Sequence, residues 1–285
     1  MNIEEWKDRG KFYTHNNQRI FYVDEGQGEV VLCIHGFPTC SWDWHLIWES
    51  LCDNFRVIAI DMVGFGYSDK PQNYNYSIMD QADLHENVLS SLGVGAAHIL
   101  SHDYGDTVAQ ELLARKALRK FTIKSMCLLN GGLFPETHHP RLIQTLLASR
   151  CGVIIKEFLN FRSFARSFCR IFGKNTQPTH RELKIFWELI SHNKGHKVAH
   201  KLIRYMEERK KFRDRWVGAL ISADVPLQLI NGVDDPVSGR HMAERYKELV
   251  TKENVVLLEN IGHYPQVESA PEVFAEFLSF IKSQK

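Results

Sequence analysis

With 285 residues, 44% of them hydrophobic, the chain is long enough to bury one large core and still carry an inserted lobe. A formal net charge of +1 offers no global attraction for nucleic acid, and no apolar run approaches the roughly 18 residues of a membrane-spanning helix. The six cysteines (33, 40, 52, 127, 151 and 169) show no CxxC spacing and read as small buried hydrophobes in a reducing compartment, so neither a metal nor a cofactor is expected. The charged start, Met1-Asn2-Ile3-Glu4-Glu5-Trp6-Lys7, lacks the apolar stretch of a signal peptide, and a cytoplasmic setting is the expectation.

Taken in chain order, β-rich runs fall at residues 12–15, 19–24, 30–35, 57–61, 98–101, 123–128, 227–230 and 255–258. The first two, joined by Asn16-Asn17, read as an antiparallel hairpin at a sheet edge. Helical patterns lie between many of the others, at 42–51, 78–92, 107–117, 239–250 and 271–282. Such alternation predicts an α/β fold, a mostly parallel eight-stranded sheet covered by helices on both faces. From about residue 133 to 216 the alternation stops and the pattern is helical, with Leu142, Ile143, Leu146 and Leu147 at helical spacing. Residues 133–216 are therefore expected to form a helical cap inserted into a core of residues 1–132 and 217–285, arching over the strand ends. The cap is basic, and Arg162, Arg166 and Arg170 recur every four residues on one helical face. That face is either simply solvated or meets an anionic membrane or lipid.

The chemistry centres on Asp103. Ala97-His98-Ile99-Leu100-Ser101 is an apolar strand, followed by His102-Asp103-Tyr104-Gly105 and then a helix, so that Asp103 stands at the apex of a nucleophile elbow between Ser101 and Gly105. A carboxylate attacking acyl carbon gives a mixed anhydride, a poor route to splitting an unactivated ester or amide. Displacement at saturated carbon leaves an ordinary ester on the protein, so the elbow points to a strained or activated sp3 carbon such as an epoxide or alkyl halide. Ser101, two residues before the apex, is a poor nucleophile candidate. An acid and then a late histidine should follow. The strand at 227–230 runs into Asn231-Gly232-Val233-Asp234-Asp235, which makes Asp235 the acid and adjacent Asp234 the fallback. His263, on a loop after the last strand, is the base. The oxyanion donors are expected to be the backbone N–H groups of Phe37, in Cys33-Ile34-His35-Gly36-Phe37-Pro38, and of Tyr104. Asp61-Met62-Val63-Gly64-Phe65-Gly66 is expected to shape the floor of the site, and His102 to be structural.

His35-Gly36-Phe37-Pro38, Gly64-Phe65-Gly66-Tyr67-Ser68-Asp69 and His102-Asp103-Tyr104-Gly105 resemble the epoxide hydrolase and haloalkane dehalogenase branch of the α/β-hydrolase superfamily. A closer resemblance, to the mesoderm-specific transcript protein family, is carried by 100–113, by Asn130-Gly131-Gly132-Leu133-Phe134-Pro135-Glu136-Thr137-His138 and by 209–220. The resemblance implies a two-step reaction: Asp103 forms an alkyl ester, then His263, oriented by Asp235, activates water to cleave it. It also locates two departures. Haloalkane dehalogenases place a tryptophan after the nucleophile and an asparagine after the His-Gly pair, where this chain has Tyr104 and Phe37. Epoxide hydrolases place two tyrosines in the cap, and between Gly132 and Trp216 there is one, Tyr205. Further donors toward substrate are sought in His138 and the Tyr264 hydroxyl. An epoxide-hydrolase-like enzyme acting on a small or lipid-like molecule is the leading expectation. A dehalogenase or esterase, and a non-catalytic lipid-associated member of the fold, are the alternatives.

Overall fold

The computed structural model describes residues 1–251 and 254–284. Eight strands form one sheet: β1 (Lys11–His15), β2 (Gln18–Gly26), β3 (Val30–Ile34), β4 (Arg56–Ile60), β5 (Ala96–His102), β6 (Thr122–Leu129), β7 (Leu227–Gly232) and β8 (Val255–Leu258). Their order is β1-β2-β4-β3-β5-β6-β7-β8. The β1–β2 and β2–β4 pairs are antiparallel and the others parallel. Asn16 and Asn17 both take positive φ (48° and 61°), the handedness that a tight β1–β2 turn requires. The central strands are covered on both faces, which is why they read as continuous apolar runs: Val31 to Ile34 and Val57 to Ile60 are fully buried.

Helices α1 (Ile3–Arg9), α2 (Trp48–Cys52), α3 (Ile78–Ser91) and α4 (Tyr104–Ala114) belong to the first half of the sheet. Between β6 and β7 come α5 (Leu142–Ala148), α6 (Gly152–Ile155), α7 (Phe161–Cys169), α8 (His180–Ser191), α9 (Ala199–Leu202), α10 (Tyr205–Lys211) and α11 (Arg213–Ile221). The chain closes with α12 (Arg240–Leu249), α13 (Pro265–Glu268) and α14 (Ala270–Lys282). The insertion between β6 and β7 is thus helical, as the loss of strand signals indicates. α11 packs along α4 and crosses the boundary expected at residues 216 and 217.

Two local features differ from the sequence reading. The single helix expected at 42–51 is a 3₁₀ turn over Ser41–Trp44 followed by α2. Trp42 and Trp44 are both buried. Helix α1, absent from the sequence reading, is closed by a capping box between Asn2 and Glu5. It buries Trp6 edge-on against Trp42 and Trp48, with ring centroids at 5.8 and 4.8 Å. Among the described residues no helix is long and apolar enough to cross a membrane.

Candidate active site

Strand β5 ends at His102, and Asp103 turns the chain into α4 with φ 47° and ψ −103°. A non-glycine residue there stores strain of about 1–3 kcal/mol and lifts its side chain clear of the sheet. Gly105 lets the turn sit against β3, since a Cβ at that position would lie 2.3 Å from the Ile34 carbonyl oxygen. Gly36 serves the same purpose on the facing turn: its missing Cβ would lie 2.5 Å from His102 and 3.1 Å from the Asp103 Cβ. With both turns so close, the Phe37 N–H donates to Asp103 Oδ2 at 3.2 Å. Tyr104 opens α4, so its N–H has no partner within the helix.

His263 lies on the loop after β8, with Nε2 4.0 Å from Asp103 Oδ2 and Nδ1 2.7 Å from Asp235 Oδ2. The Asp235 carboxylate accepts from the Val237 and Ser238 amides at 2.8 and 3.0 Å and from Asn130 Nδ2 at 3.1 Å. Asp234 is exposed on the other side of the strand end. Burial raises the pKa of Asp235, but the His263 charge and hydrogen bond outweigh it and hold the group at about 2. Burial alone would lower His263. The charge and hydrogen bond of Asp235, with Asp103 close by, reverse that and lift it to about 9. Burial also opposes ionisation of Asp103, yet His263 and Arg209 together bring its pKa below the ordinary carboxylate value. The resting site is thus two carboxylates and two cations, nearly sealed from water: Asp103, Asp235 and His263 are each 3% exposed.

Two further residues hold this geometry. His102 Nε2 lies 2.7 Å from the His263 carbonyl oxygen, which makes it a positioning group under the base. Glu268 accepts from the Gly173, Gly262 and Tyr264 amides at 2.7, 2.9 and 3.0 Å, tying the His263 loop to the insertion. Neither Glu268 nor Asn130 stood out in the sequence, because an acid in the first turn of a helix and an asparagine after a strand are ordinary there. Ser101 is buried in β5 and donates to Asp106 at 2.5 Å.

Of the three residues sought as substrate donors, Tyr205 and His138 lie on the Asp103 side. Tyr205 is fully buried, its ring 4.8 Å from Tyr104 and 6.1 Å from Phe37. His138 packs at Gly132, where an added Cβ would meet His138 Nδ1 at 3.0 Å, and burial next to Arg209 keeps its pKa down at about 3. Tyr264 lies under the Phe37 turn, its hydroxyl 3.5 Å from the Phe37 carbonyl oxygen and 3.4 Å from Thr39 Oγ1. None of the three, and not Asp103 itself, is among the residues lining the cavity described below, which reaches the site through Phe37 and His263. Sequence reasoning also missed Arg209 on α10. It is 2% exposed, its Nη2 donates to the Asp103 carbonyl oxygen at 2.9 Å and stands 3.5 Å from Asp103 Oδ1, and its Nε donates to Thr107 Oγ1 at 2.7 Å.

A cavity of about 380 Å³ runs between the core and the insertion. Phe37, Val237 and His263 line it from the core, and Leu147, Phe164 and Phe168 are among the apolar residues facing them. Arg141, Arg166 and Arg170 also border it.

A sheet of this order, an elbow on β5, an acid after β7 and a histidine after β8 define a class of protein. The alpha/beta hydrolase fold family model matches residues 29–270, and the chain belongs to that family as a hydrolase of the alpha/beta fold. The mesoderm-specific transcript homolog protein of Bos taurus is 45% identical to it, over 99% of this chain and 88% of that protein. A putative hydrolase, LipZ, of Mycobacterium tuberculosis (strain ATCC 25618 / H37Rv) is 36% identical over 96% of each chain. The DbeA-M1 loop variant of a haloalkane dehalogenase from Bradyrhizobium elkanii superposes with a TM-score of 0.81 over 96% of each chain at 18% identity, a likeness of fold alone.

Proposed function

We propose that this hydrolase opens an electrophilic sp3 carbon, an epoxide foremost, through a covalent ester on Asp103. The observation that carries the reading is a carboxylate at the elbow apex, with one oxygen on the Phe37 amide and the Asp235-held imidazole 4.0 Å away. Oδ1 of Asp103 attacks the ring carbon, the C–O bond breaks toward oxygen, and the Tyr205 hydroxyl supplies the proton. Alkylation removes the negative charge beside His263, one of the interactions that raise its pKa, so the ring loses its proton more easily just when a base is needed. Neutral His263 takes a proton from water, hydroxide adds to the ester carbonyl, and the Phe37 and Tyr104 amides stabilise the oxyanion. Collapse expels the diol oxygen, which takes the proton from His263; the regenerated Asp103 acid reprotonates the Tyr205 oxygen, and His263 regains from solvent the proton it released there after alkylation. Phe37 and Tyr104 offer no side-chain N–H where the dehalogenase pattern has two, which disfavours a halide leaving group. Single turnover of styrene oxide in heavy-oxygen water tests the mechanism: label enters the Asp103 carboxylate, whereas label passing directly to product with Asp103 unlabelled refutes it.

The substrate in this reading is lipid-like. The cavity walls are largely apolar, and the adjoining surface exposes Leu142 (75%), Ile154 (62%) and Phe158 (71%) beside Arg141, Arg150, Lys156 and Arg162. Exposed apolar groups ringed by cations suit an anionic bilayer that supplies such a substrate. Sedimentation with vesicles of phosphatidylcholine, with and without phosphatidylserine, tests the contact. Binding should require the anionic lipid and be lost in the Ile154→Glu/Phe158→Glu double variant. Equal recovery of both proteins in the pellet refutes it.

A further inference from the structure

The mechanism uses the Tyr205 hydroxyl as a proton donor and leaves Arg209 and His138 without employment. Among the described residues, Arg209 Nη1, the Tyr205 hydroxyl and both ring nitrogens of His138 are buried with no hydrogen-bond partner. They converge. Arg209 lies over the Tyr205 ring at 4.4 Å, which engages the π face and leaves the hydroxyl without an acceptor. Gly132 makes room for the rest, since a Cβ there would stand 2.3 Å from Arg209 Nη1 and 3.0 Å from His138 Nδ1. A buried donor with no acceptor is costly, and three of them around one carboxylate call for a ligand that supplies oxygens.

We propose that Arg209, Tyr205 and His138 form a carboxylate-binding subsite beside Asp103, so that the substrate carries a carboxylate on, or releases one from, the carbon that Asp103 attacks. The substrate half of this inference rests on Asp103 acting as the nucleophile. A planar guanidinium with a free N–H edge is built for a carboxylate, and in the resting site it has only a carbonyl oxygen, a hydroxyl and a carboxylate oxygen 3.5 Å away. Charge points the same way. Alkylation of Asp103 turns its anion into a neutral ester and would strand the Arg209 cation in a buried site. A substrate carboxylate restores the pair there, and because that pair is neutral it does not hold the proton on His263. Two kinds of molecule present this group. In an α,β-epoxy acid the carboxylate is a substituent, Asp103 bonds to a ring carbon and the ring oxygen leaves as a hydroxyl. In a β-lactone Asp103 bonds to the β carbon, the C–O bond breaks toward oxygen, and the carboxylate itself is the leaving group. Water then cleaves either ester as above, except that in the lactone case Tyr205 stays protonated and the regenerated Asp103 acid returns its proton to His263.

Binding separates the subsite from the chemistry. In Asp103→Asn, which removes the competing charge without turnover, calorimetry should show octanoate binding about tenfold or more tighter than octanamide. The preference should shrink in Asp103→Asn/Tyr205→Phe, which removes only a hydroxyl, be partly kept in Asp103→Asn/Arg209→Lys, and vanish in Asp103→Asn/Arg209→Met. Equal affinity for acid and amide, or a preference that survives Arg209→Met in a protein that melts cooperatively, overturns the subsite. If the preference holds while heavy oxygen never enters Asp103 of the wild type, the subsite stands and the nucleophile reading fails. With wild type, faster turnover of an alkyl α,β-epoxy acid than of its methyl ester assigns the carboxylate as a substituent, and turnover of the β-lactone assigns it as the leaving group. If the epoxy acid shows no advantage over its ester and the lactone is not turned over, the substrate half is refuted.

Discussion

Replacing His263 by Gln should stop the reaction halfway and expose the intermediate. Alkylation needs the Asp103 carboxylate, the Phe37 amide and a proton donor on the leaving oxygen, and the glutamine touches none of them. Cleavage of the ester needs a base at the His263 Nε2 position, 4.0 Å from Asp103 Oδ2. The glutamine amide fills much of the ring's space but cannot take a proton from water at neutral pH. Loss of a general base costs about 10²–10⁴ in rate, or roughly 3–5 kcal/mol of barrier. Because the loss falls on the second step alone, the ester accumulates to one equivalent per chain during the first turnover. Intact-protein mass spectrometry after mixing with styrene oxide should show the mass of one substrate added, and peptide mapping should place it on the segment holding Asp103. An unmodified protein that still turns over slowly, or an adduct on any other residue, would refute the two-step reading. An unmodified protein with no turnover, alongside a wild type that opens the same epoxide, would show that His263 acts before or during ring opening.

Asp103→Asn should abolish the adduct altogether, again by mass spectrometry, in a protein that still melts cooperatively but at a lower temperature, because the buried Arg209 and His263 cations lose the carboxylate between them. The pH dependence of stability follows from His263, whose pKa is raised from an ordinary 6.5 to about 9. Its contribution is complete below about pH 6.5 and is lost as pH climbs through 9, so the melting-temperature advantage of wild type over His263→Gln should shrink across that window. Asp235, held at about 2, works in the opposite direction and contributes above about pH 4, its share disappearing only as pH falls toward 2. Glu268→Ala leaves the Gly173, Gly262 and Tyr264 amides without an acceptor and should lower unfolding free energy by about 2–3 kcal/mol in urea titrations, with a fall in kcat from a loosened His263 loop. Trp6→Ala should cost about 3–5 kcal/mol by the same titration and leave the Asp103 adduct yield of the folded protein untouched, since the tryptophan cluster lies away from the elbow.

The order of elements was legible because each strand that carries the site is buried on both faces. Val31 to Ile34, or Ile99 and Leu100, can only be a strand bounded by turns, and Gly36 and Gly105 mark where those turns come closest. Reading stopped where periodicity did. Helix α1 has seven residues and buries one of them, too short for a 3.6-residue repeat to show, although its Asn2 and Glu5 capping box was there to be read. In the insertion the helices are short, and the break after α8 is made by Asn193 and Lys194 at positive φ, which lysine gives no sign of. Tyr264 shows what position beside the base does not reveal, namely which way the side chain leaves the loop. Its ring packs on His102, Phe168 and Phe172.

Arg209 shows why the insertion could not be decoded from charge. It opens the run Arg209-Lys210-Lys211, and from sequence those are three interchangeable cations on a solvated helix. The fold makes them unequal: Lys210 and Lys211 are exposed, while Arg209 is buried against the elbow. What selects it is not on its own helix. Thr107, one turn into α4, accepts the Nε–H, the Asp103 carbonyl oxygen accepts Nη2 as well as the Asp106 amide, and Gly132 leaves out the Cβ that would block Nη1. All three lie more than seventy residues earlier in the chain, at the elbow, on α4 and after β6. A lysine in the same place would present one point charge and could not bond Thr107, the carbonyl and a further acceptor along a rigid fork. Arg209→Lys should therefore keep the charge balance of the resting site and the fold, yet bind a carboxylate less well than the arginine does. If lysine served equally, the geometry around Gly132 and Thr107 would be packing alone and the cation a counter-charge to Asp103.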